Sequence, residues 1–377
     1  MSAPAVRGWC PGALRPMASG DGLVVRVRPP LGRLTPVQAV GLADLALRFG
    51  SGEVGLTNRA NVQMRGLAGD DHPALVAALT DLGLAGDPAE GRLNVVADPF
   101  AAEADGIGAG LLDGLHDTRF AALPSKFGFV VDPGPARRLD GVSGDVRVER
   151  GAAGGLIVRA DGAETGLAVR DAEAAVAAAL DLAAWFLATG GVGADGRGRM
   201  ARHLAGGARP PGGTPPVAAR PAPDPGPSAG GALVGAAFGA LAARDLRRLA
   251  SAAPGGLRVT PWRMLFLPGV DAVPEGPGLI RDPHDPRHAV DACVGAPHCP
   301  QATVATRALA TDLAPRLAPG RTLHVSGCAK GCARPGPADV TLVGRDGAFD
   351  LVRDGRAGDD PVRRGLDRAA IHDLLAR

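Results

Sequence analysis

Apolar and polar positions fall into two periods along this chain, and the period changes where the elements change. GLVVRVRPP, ending at Pro30, reads as a strand. From Thr35 to about Arg48, Leu42, Leu45 and Phe49 recur at i, i+3, i+7, the spacing of one helical face. Thr35 can cap that helix, Pro36 suits its first turn and Gln38 completes a capping box. The next run, VGLTNRANVQMRG, alternates from Val54 to about Met64 and reads as one strand. Its alternation sends Arg59, Asn61, Gln63 and Arg65 to one face and Ala60, Val62 and Met64 to the other. DHPALVAALTDLGL reads as a helix, GRLNVVADP as a strand, and Asp171 to Thr189 as an alanine-rich helix. Near the C-terminus come a strand, ADVTLVG, a hairpin turn through Arg345 to Gly347, and a helix from about Arg364 to Leu375.

The pattern repeats. Residues 207–230 are so rich in Pro, Gly and Ala that they read as an unpacked linker. After it, Phe238 to Val270 gives a helix and then GLRVTPWRMLFLPGV. That stretch aligns without gaps on the first alternating strand, from Thr57 with Thr260 to Gly66 with Gly269. Two halves related by duplication follow from this. The first copy carries the polar array, while Met264, Leu265, Phe266 and Leu267 make the second almost wholly apolar.

Composition narrows the class. A chain of 377 residues can bury more than one core, so two or more domains are expected. The 46% hydrophobic content is largely Ala and Gly-flanked, without a run long enough for a membrane span. A net charge of +2 argues against general nucleic-acid binding and confines any anion site to a local cluster of Arg and Lys. The N-terminus lacks the order of a secretory signal, which together with reduced cysteines predicts a cytoplasmic protein.

Chemistry concentrates in one stretch. VDACVGAPHCPQ and TLHVSGCAKGCARPGP hold Cys293, Cys299, Cys328 and Cys332, four of the chain's five cysteines. Five residues separate the first pair, three the second, and 28 lie between the pairs, a spacing that suits one metal centre. Four thiolates satisfy either a tetrahedral zinc or an iron-sulfur cube. The wide first gap favours the bulkier cluster. The run after Pro300 has helical spacing, which would start a helix at Cys299 and aim its amides at an anionic cluster. Cys10 is left as a free thiol. Lys330, between two of the ligands, either raises the cluster potential or is solvated.

Other motifs carry less. Two Arg and two amides on one strand face suit a ligand with several carboxylates. GVGADG after the alanine-rich helix closes a helix instead of opening one after a strand, so it is not a dinucleotide fingerprint. His324 reads as packed, or as a donor beside the centre, not as a ligand. His284, His288 and His298 are close enough in sequence to suggest a mononuclear iron site.

C-x5-C followed by G-C-x3-C resembles the cluster signature of the siroheme-dependent sulfite and nitrite reductase superfamily. Within it, HVSGCAKGCA, CPGALRP and TNRANVQMRG are most similar to the precorrin-3B synthase family. The resemblance implies an internally duplicated α+β fold with two ferredoxin-like half-domains, at 15–75 and 231–275, and two α/β domains, at 85–206 and 280–377. It implies that the four cysteines hold a 4Fe-4S cluster in the last of these. It also implies that Arg59, Arg65 and Lys126, with Asn61 and Gln63 beside them, meet a tetrapyrrole. Lys126 matches the first anion-binding lysine of L-P-x-K-F-K, but Gly128 replaces the second, and Leu93 stands where the superfamily has Arg. Arg92, one position away, would face the opposite side of a strand. The implied reaction is O2- and NADH-dependent hydroxylation and lactone formation on precorrin-3A, in cobalamin biosynthesis. As no nicotinamide site is visible, a separate reductase is expected to pass electrons from NADH. The rival readings are a siroheme-dependent sulfite or nitrite reductase and a non-catalytic iron-sulfur or zinc-stabilised protein.

Overall fold

The computed structural model describes residues 11–375, and Cys10 lies outside them. The first half opens with strands β1 (Met17–Ser19), β2 (Gly22–Val27) and β3 (Arg33–Leu34), then helix α1 (Pro36–Phe49), the hairpin β4 (Glu53–Leu56) and β5 (Val62–Leu67), and helix α2 (His72–Asp81). An α/β unit follows: β6 (Val95–Ala97), α3 (Ala102–Gly114), β7 (Phe129–Asp132), β8 (Val146–Arg150), β9 (Leu156–Ala160), β10 (Leu167–Val169), α4 (Ala172–Ala188) and the short α5 (Met200–Ala205). The second half repeats the first with β11 (Gly226–Ser228), β12 (Gly231–Ala236), β13 (Ala240–Ala242), α6 (Ala243–Ala252), β14 (Leu257–Val259), β15 (Met264–Pro268) and the short β16 (Leu279–Ile280). Its α/β unit contains β17 (Val290–Ala292), α7 (Arg307–Leu313), β18 (Leu323–Ser326), β19 (Ala338–Arg345), β20 (Ala348–Gly355), β21 (Arg363–Leu366) and α8 (Arg368–Leu375).

Local chemistry sets several of these boundaries. Thr35 Oγ1 accepts from the Gln38 backbone N–H at 3.2 Å and Gln38 Oε1 accepts from the Thr35 N–H at 3.0 Å, the reciprocal box that starts α1. The alternating run VGLTNRANVQMRG is a hairpin, not one strand. Thr57 Oγ1 accepts from the backbone N–H groups of both Arg59 and Asn61, and Ala60 adopts φ 54°, so the chain reverses between β4 and β5. The second copy turns the same way: the Thr260 N–H and hydroxyl both donate to Met264 O at 2.9 Å, and Arg263 adopts φ 58°.

The sheets record the duplication. One has the order β1-β2-β5-β4-β13 and another β11-β12-β15-β14-β3, so each half lends one strand to the other's sheet. Leu241 pairs with Val54, and Leu257 with Leu34. Helices α1 and α6 pack together, and a single apolar core runs from Leu42 and Leu45 to Leu246 and Leu249. The α/β units repeat as β10-β9-β8-β7-β6 and β17-β18-β19-β20-β21, each with two parallel pairings and two antiparallel ones. Each has its own core.

Three further expectations change. The 207–230 stretch is not an unpacked linker: Thr214, Pro216 and Ala219 form bridges to Gly166, Gly151 and Arg137 of the first α/β unit, and β11 begins at Gly226. Extended Pro-rich backbone loses little entropy when laid along a sheet. The last helix begins at Arg368, because Gly365 at φ 67° interrupts the helix and Arg363–Leu366 pairs with β20. Helix α7 begins at Arg307, well after Cys299. Thr306 donates its hydroxyl to Cys293 O, and the β-branched Thr303 and Val304 disfavour an earlier start. Helix amides at Cys299 therefore do not serve the cysteine centre.

Candidate metal centre and ligand cavity

The parallel strands β17 and β18 deliver the cysteines. Cys293 follows β17 directly, and Cys328 lies two residues beyond β18. Gly295 sits at φ 66° so close to Thr306 that a Cβ there would meet Thr306 Oγ1 at 2.6 Å. A Cβ on Gly327 would meet Ala302 at 2.6 Å, and its backbone N–H donates to Cys293 Sγ at 3.1 Å. Both glycines thus let two loops close on one thiol. Ser326 Oγ donates to Cys328 O at 2.7 Å and fixes the turn into the second pair.

All four cysteines line one cavity of about 430 Å³. Burial pushes the Cys328 thiol up, as does charge on Cys299 and Cys293, while the Lys330 backbone N–H pulls it down. Burial likewise raises Cys332, with Lys330 acting against it and the other three thiols with it. Both shifts oppose ionisation in the metal-free state, so binding a cation must displace these protons and its affinity should rise with pH. Among the described residues no three His, Cys, Asp or Glu side chains converge closely enough to hold a single metal ion. An all-sulfur donor set distributed around a cavity fits an iron-sulfur cube better than one tetrahedral ion.

The polar array divides. Gln63 and Arg65 line the cysteine cavity, whereas Arg59 and Asn61, on the hairpin turn, line a separate cavity of about 140 Å³ with Leu93, Asn94 and Gly128. Arg59 donates to Lys126 O at 3.1 Å and Ser143 Oγ at 3.2 Å. Lys126 is exposed and meets Arg59 through its backbone; its side chain lines neither cavity. Arg65 is held by Asp21 at 3.2 and 3.0 Å and donates to His298 O at 2.9 Å, so it fastens the β1–β2 hairpin to the loop between Cys293 and Cys299. Arg92 donates to Leu115 O at 2.6 Å and His116 O at 3.2 Å, while Leu93 itself lines the smaller cavity.

Sequence reasoning missed other cations of the cysteine cavity. Arg26 of β2, Arg263 of the second hairpin and Arg307 at the start of α7 all line it, together with the exposed Lys330. Arg307 is paired with Glu53 at 2.9 Å and Arg263 with Asp291 at 3.1 Å. The aligned copies held a signal for Arg263, which replaces Ala60 at the one turn position where the backbone is left-handed in both. His324 is fully buried and neither ring nitrogen has a partner, so it is packed and donates to nothing among the described residues. No three-residue metal group forms from His284, His288 and His298.

A duplicated half-domain scaffold, a four-cysteine centre and a cationic cavity define a protein of sulfite/nitrite reductase-like fold. The family "Nitrite/Sulfite reductase ferredoxin-like half domain" matches residues 15–82. The solved Mycobacterium tuberculosis NirA protein shares the fold with a TM-score of 0.60 at 20% identity, over 94% of this chain and 80% of that one. A precorrin-3B synthase of Sinorhizobium sp is 32% identical over 407 residues, spanning 98% of this chain and 88% of that protein. The chain belongs to the precorrin-3B synthase family. No helix among the described residues is long and apolar enough to cross a membrane.

Proposed function

We propose that this protein is an oxygen-dependent oxidoreductase that hydroxylates precorrin-3A and closes a ring acetate onto it as a lactone, giving precorrin-3B in cobalamin biosynthesis. The observation that carries this is the shared cavity: four cysteine thiols and the side chains of Arg26, Arg263, Arg307 and Lys330 line the same space. A macrocycle edged with carboxylates needs cations at its rim and an apolar surface for its face. Val54, Leu56 and Phe238 of the same cavity supply apolar surface.

Cys293, Cys299, Cys328 and Cys332 would hold a 4Fe-4S cluster, whose chemistry is one-electron transfer. The chain's own residues bind and orient. Arg307 and Lys330 attract the carboxylates, Gln63 offers a neutral amide, and Arg65 keeps the Cys293–Cys299 loop closed on the cavity. The smaller cavity bearing Arg59, Asn61 and Leu93 lies behind the hairpin turn, and Lys126 stands outside it. These residues act on the substrate only if its periphery reaches past Thr57. Electrons derive from NADH through a separate reductase, in keeping with the lack of a dinucleotide fingerprint. The macrocycle itself is the site of oxygen activation in this reading, because His284, His288 and His298 form no three-residue metal group among the described residues.

Anaerobic purification, a visible spectrum and analysis of iron, sulfide and zinc test the cofactor. About four iron and four sulfide per chain without siroheme bands are expected. Incubating that protein with precorrin-3A, O2 and a reductant should then add oxygen to the tetrapyrrole, read by mass spectrometry. Bound siroheme would make the protein a reductase, and zinc alone would return the cysteines to a structural role. Stoichiometric NADH oxidation by the isolated chain with substrate would remove the separate reductase.

A further inference from the structure

The ligand loops are joined by a bridge that the cysteine pattern does not foretell. Asp291, in the middle of β17, accepts from Arg263 Nη1 at 3.1 Å on one oxygen and from Arg334 Nη1 at 3.0 Å on the other. Arg263 also donates to Ala333 O at 2.5 Å, and Arg334 to Pro337 O at 2.7 Å. Asp291 is two residues before Cys293, while Ala333 and Arg334 directly follow Cys332. One carboxylate therefore connects the strand that delivers the first pair to the segment that leaves the second. Its other arm comes from the second hairpin, at a non-glycine residue with φ 58°, a strained conformation that the surroundings must stabilise.

The duplication supplies an internal control. The first copy has no cysteines at the ends of its parallel strands, and there the counterpart of Arg263 is Ala60. The middle rung of its β6–β7 ladder is Val96 against Val130, where β17 and β18 place Asp291 against His324. Half-buried charge costs free energy that two valines do not. At this rung the cost is borne only in the copy that carries the thiols.

Resting on the reading of the four cysteines as cluster ligands, we propose that Asp291 is a positioning residue for that centre. By holding Arg263 and Arg334 together it sets the separation of the Cys328–Cys332 loop from Cys293. Arg263 also lines the ligand cavity, so the same bridge joins the cavity wall to the cluster loop.

The test uses the full chain with its cluster in place, and follows anaerobic release of iron to a ferrous chelator. Asp291→Ala and Arg263→Gln should each release iron about tenfold faster or more, the usual consequence of losing a residue that orients metal ligands. The double variant should be no faster than the faster single one, because both changes break one bridge. Asp291→Asn, which keeps the acceptor without the charge, should fall between. The metal-free chains should melt close to the parent. Release rates equal to the parent, multiplying effects in the double variant, or melting that falls in step with iron release would each overturn the proposal. A parent chain that holds no iron and sulfide would instead remove the cluster reading, and this inference with it.

Discussion

His324 and Asp132 are both buried, and acid acts on them in opposite directions. Burial holds the His324 imidazole down at about 4, with Asp291 opposing that and Arg334 and Arg263 adding to it. The unfolded chain takes up this proton near the ordinary histidine value, so between the two values the unfolded state binds more protons and stability falls as pH drops. In the metal-free chain the share of the pH 7 to pH 5 change that belongs to His324 should be a loss on the order of 2 kcal/mol, opposed in the parent by the gain from Asp132. Replacing His324 by Val, the residue at its place in the first copy, should abolish that loss. Thermal unfolding at the two pH values measures the difference, and an unchanged pH slope would mean that His324 is not buried neutral. Asp132 is the reverse case. Burial raises its carboxyl to about 6, the Leu139 N–H lowers it, and Asp98 and Glu149 raise it further. The folded state then holds the proton that the unfolded state has lost, and stability grows as pH falls through about 6. Asp132→Asn keeps an acceptor for the Leu139 N–H, at 2.7 Å, without the buried charge. It should raise the melting temperature at pH 7.5 and remove the gain on acidification; a lower melting temperature at pH 7.5 would contradict the buried-charge account.

Elements whose signal is local were legible in the sequence. The capping box at Thr35, Pro36 and Gln38 fixed the start of α1, and Asp171, whose carboxylate accepts from the Ala174 N–H at 2.8 Å, stands at the start of α4. Thr35→Ala removes one half of the box and should cost about 1 kcal/mol of unfolding free energy, measured by urea titration. No change would show that the helix start is held by Pro36 and tertiary packing alone. What was not legible were the places where two local rules compete. VGLTNRANVQMRG satisfies strict alternation, yet Thr57 can also bond the amides two and four residues on, and the hairpin prevails because it pairs β4 with β5. That one turn separates Arg59 and Asn61 from Gln63 and Arg65. At Cys299 apolar spacing suggested a helix, but the Thr306 hydroxyl is committed to Cys293 O. That the four cysteines share one cavity was legible from their two close pairs and the glycines beside them. Arg26, Arg263 and Arg307 were not, because they reach the cavity from three elements that only tertiary structure assembles.

At the scale of the whole molecule, the duplication is not two beads on a string. A strand of each half completes the other half's sheet, and the apolar faces of α1 and α6 are covered largely by one another. Cutting the chain between Arg220 and Gly226 leaves the Thr214–Ala219 bridges with the first half and breaks no strand. The first fragment nevertheless loses β13 from the edge of its sheet, exposing β4 and the core face of α1. The second loses β3 and the same helix contact. An open edge above an uncovered apolar helix favours association over independent folding. Each fragment alone should therefore lack a cooperative melting transition and tend to aggregate. The two produced together should form a one-to-one complex that melts in a single transition, as the uncut chain does. Size-exclusion chromatography with thermal unfolding reads both properties. Independent cooperative melting of the first fragment would mean that the exchanged strands and shared core are dispensable. The geometry argues otherwise, since the hairpin that carries Arg263 to Asp291 belongs to the very sheet that β3 completes.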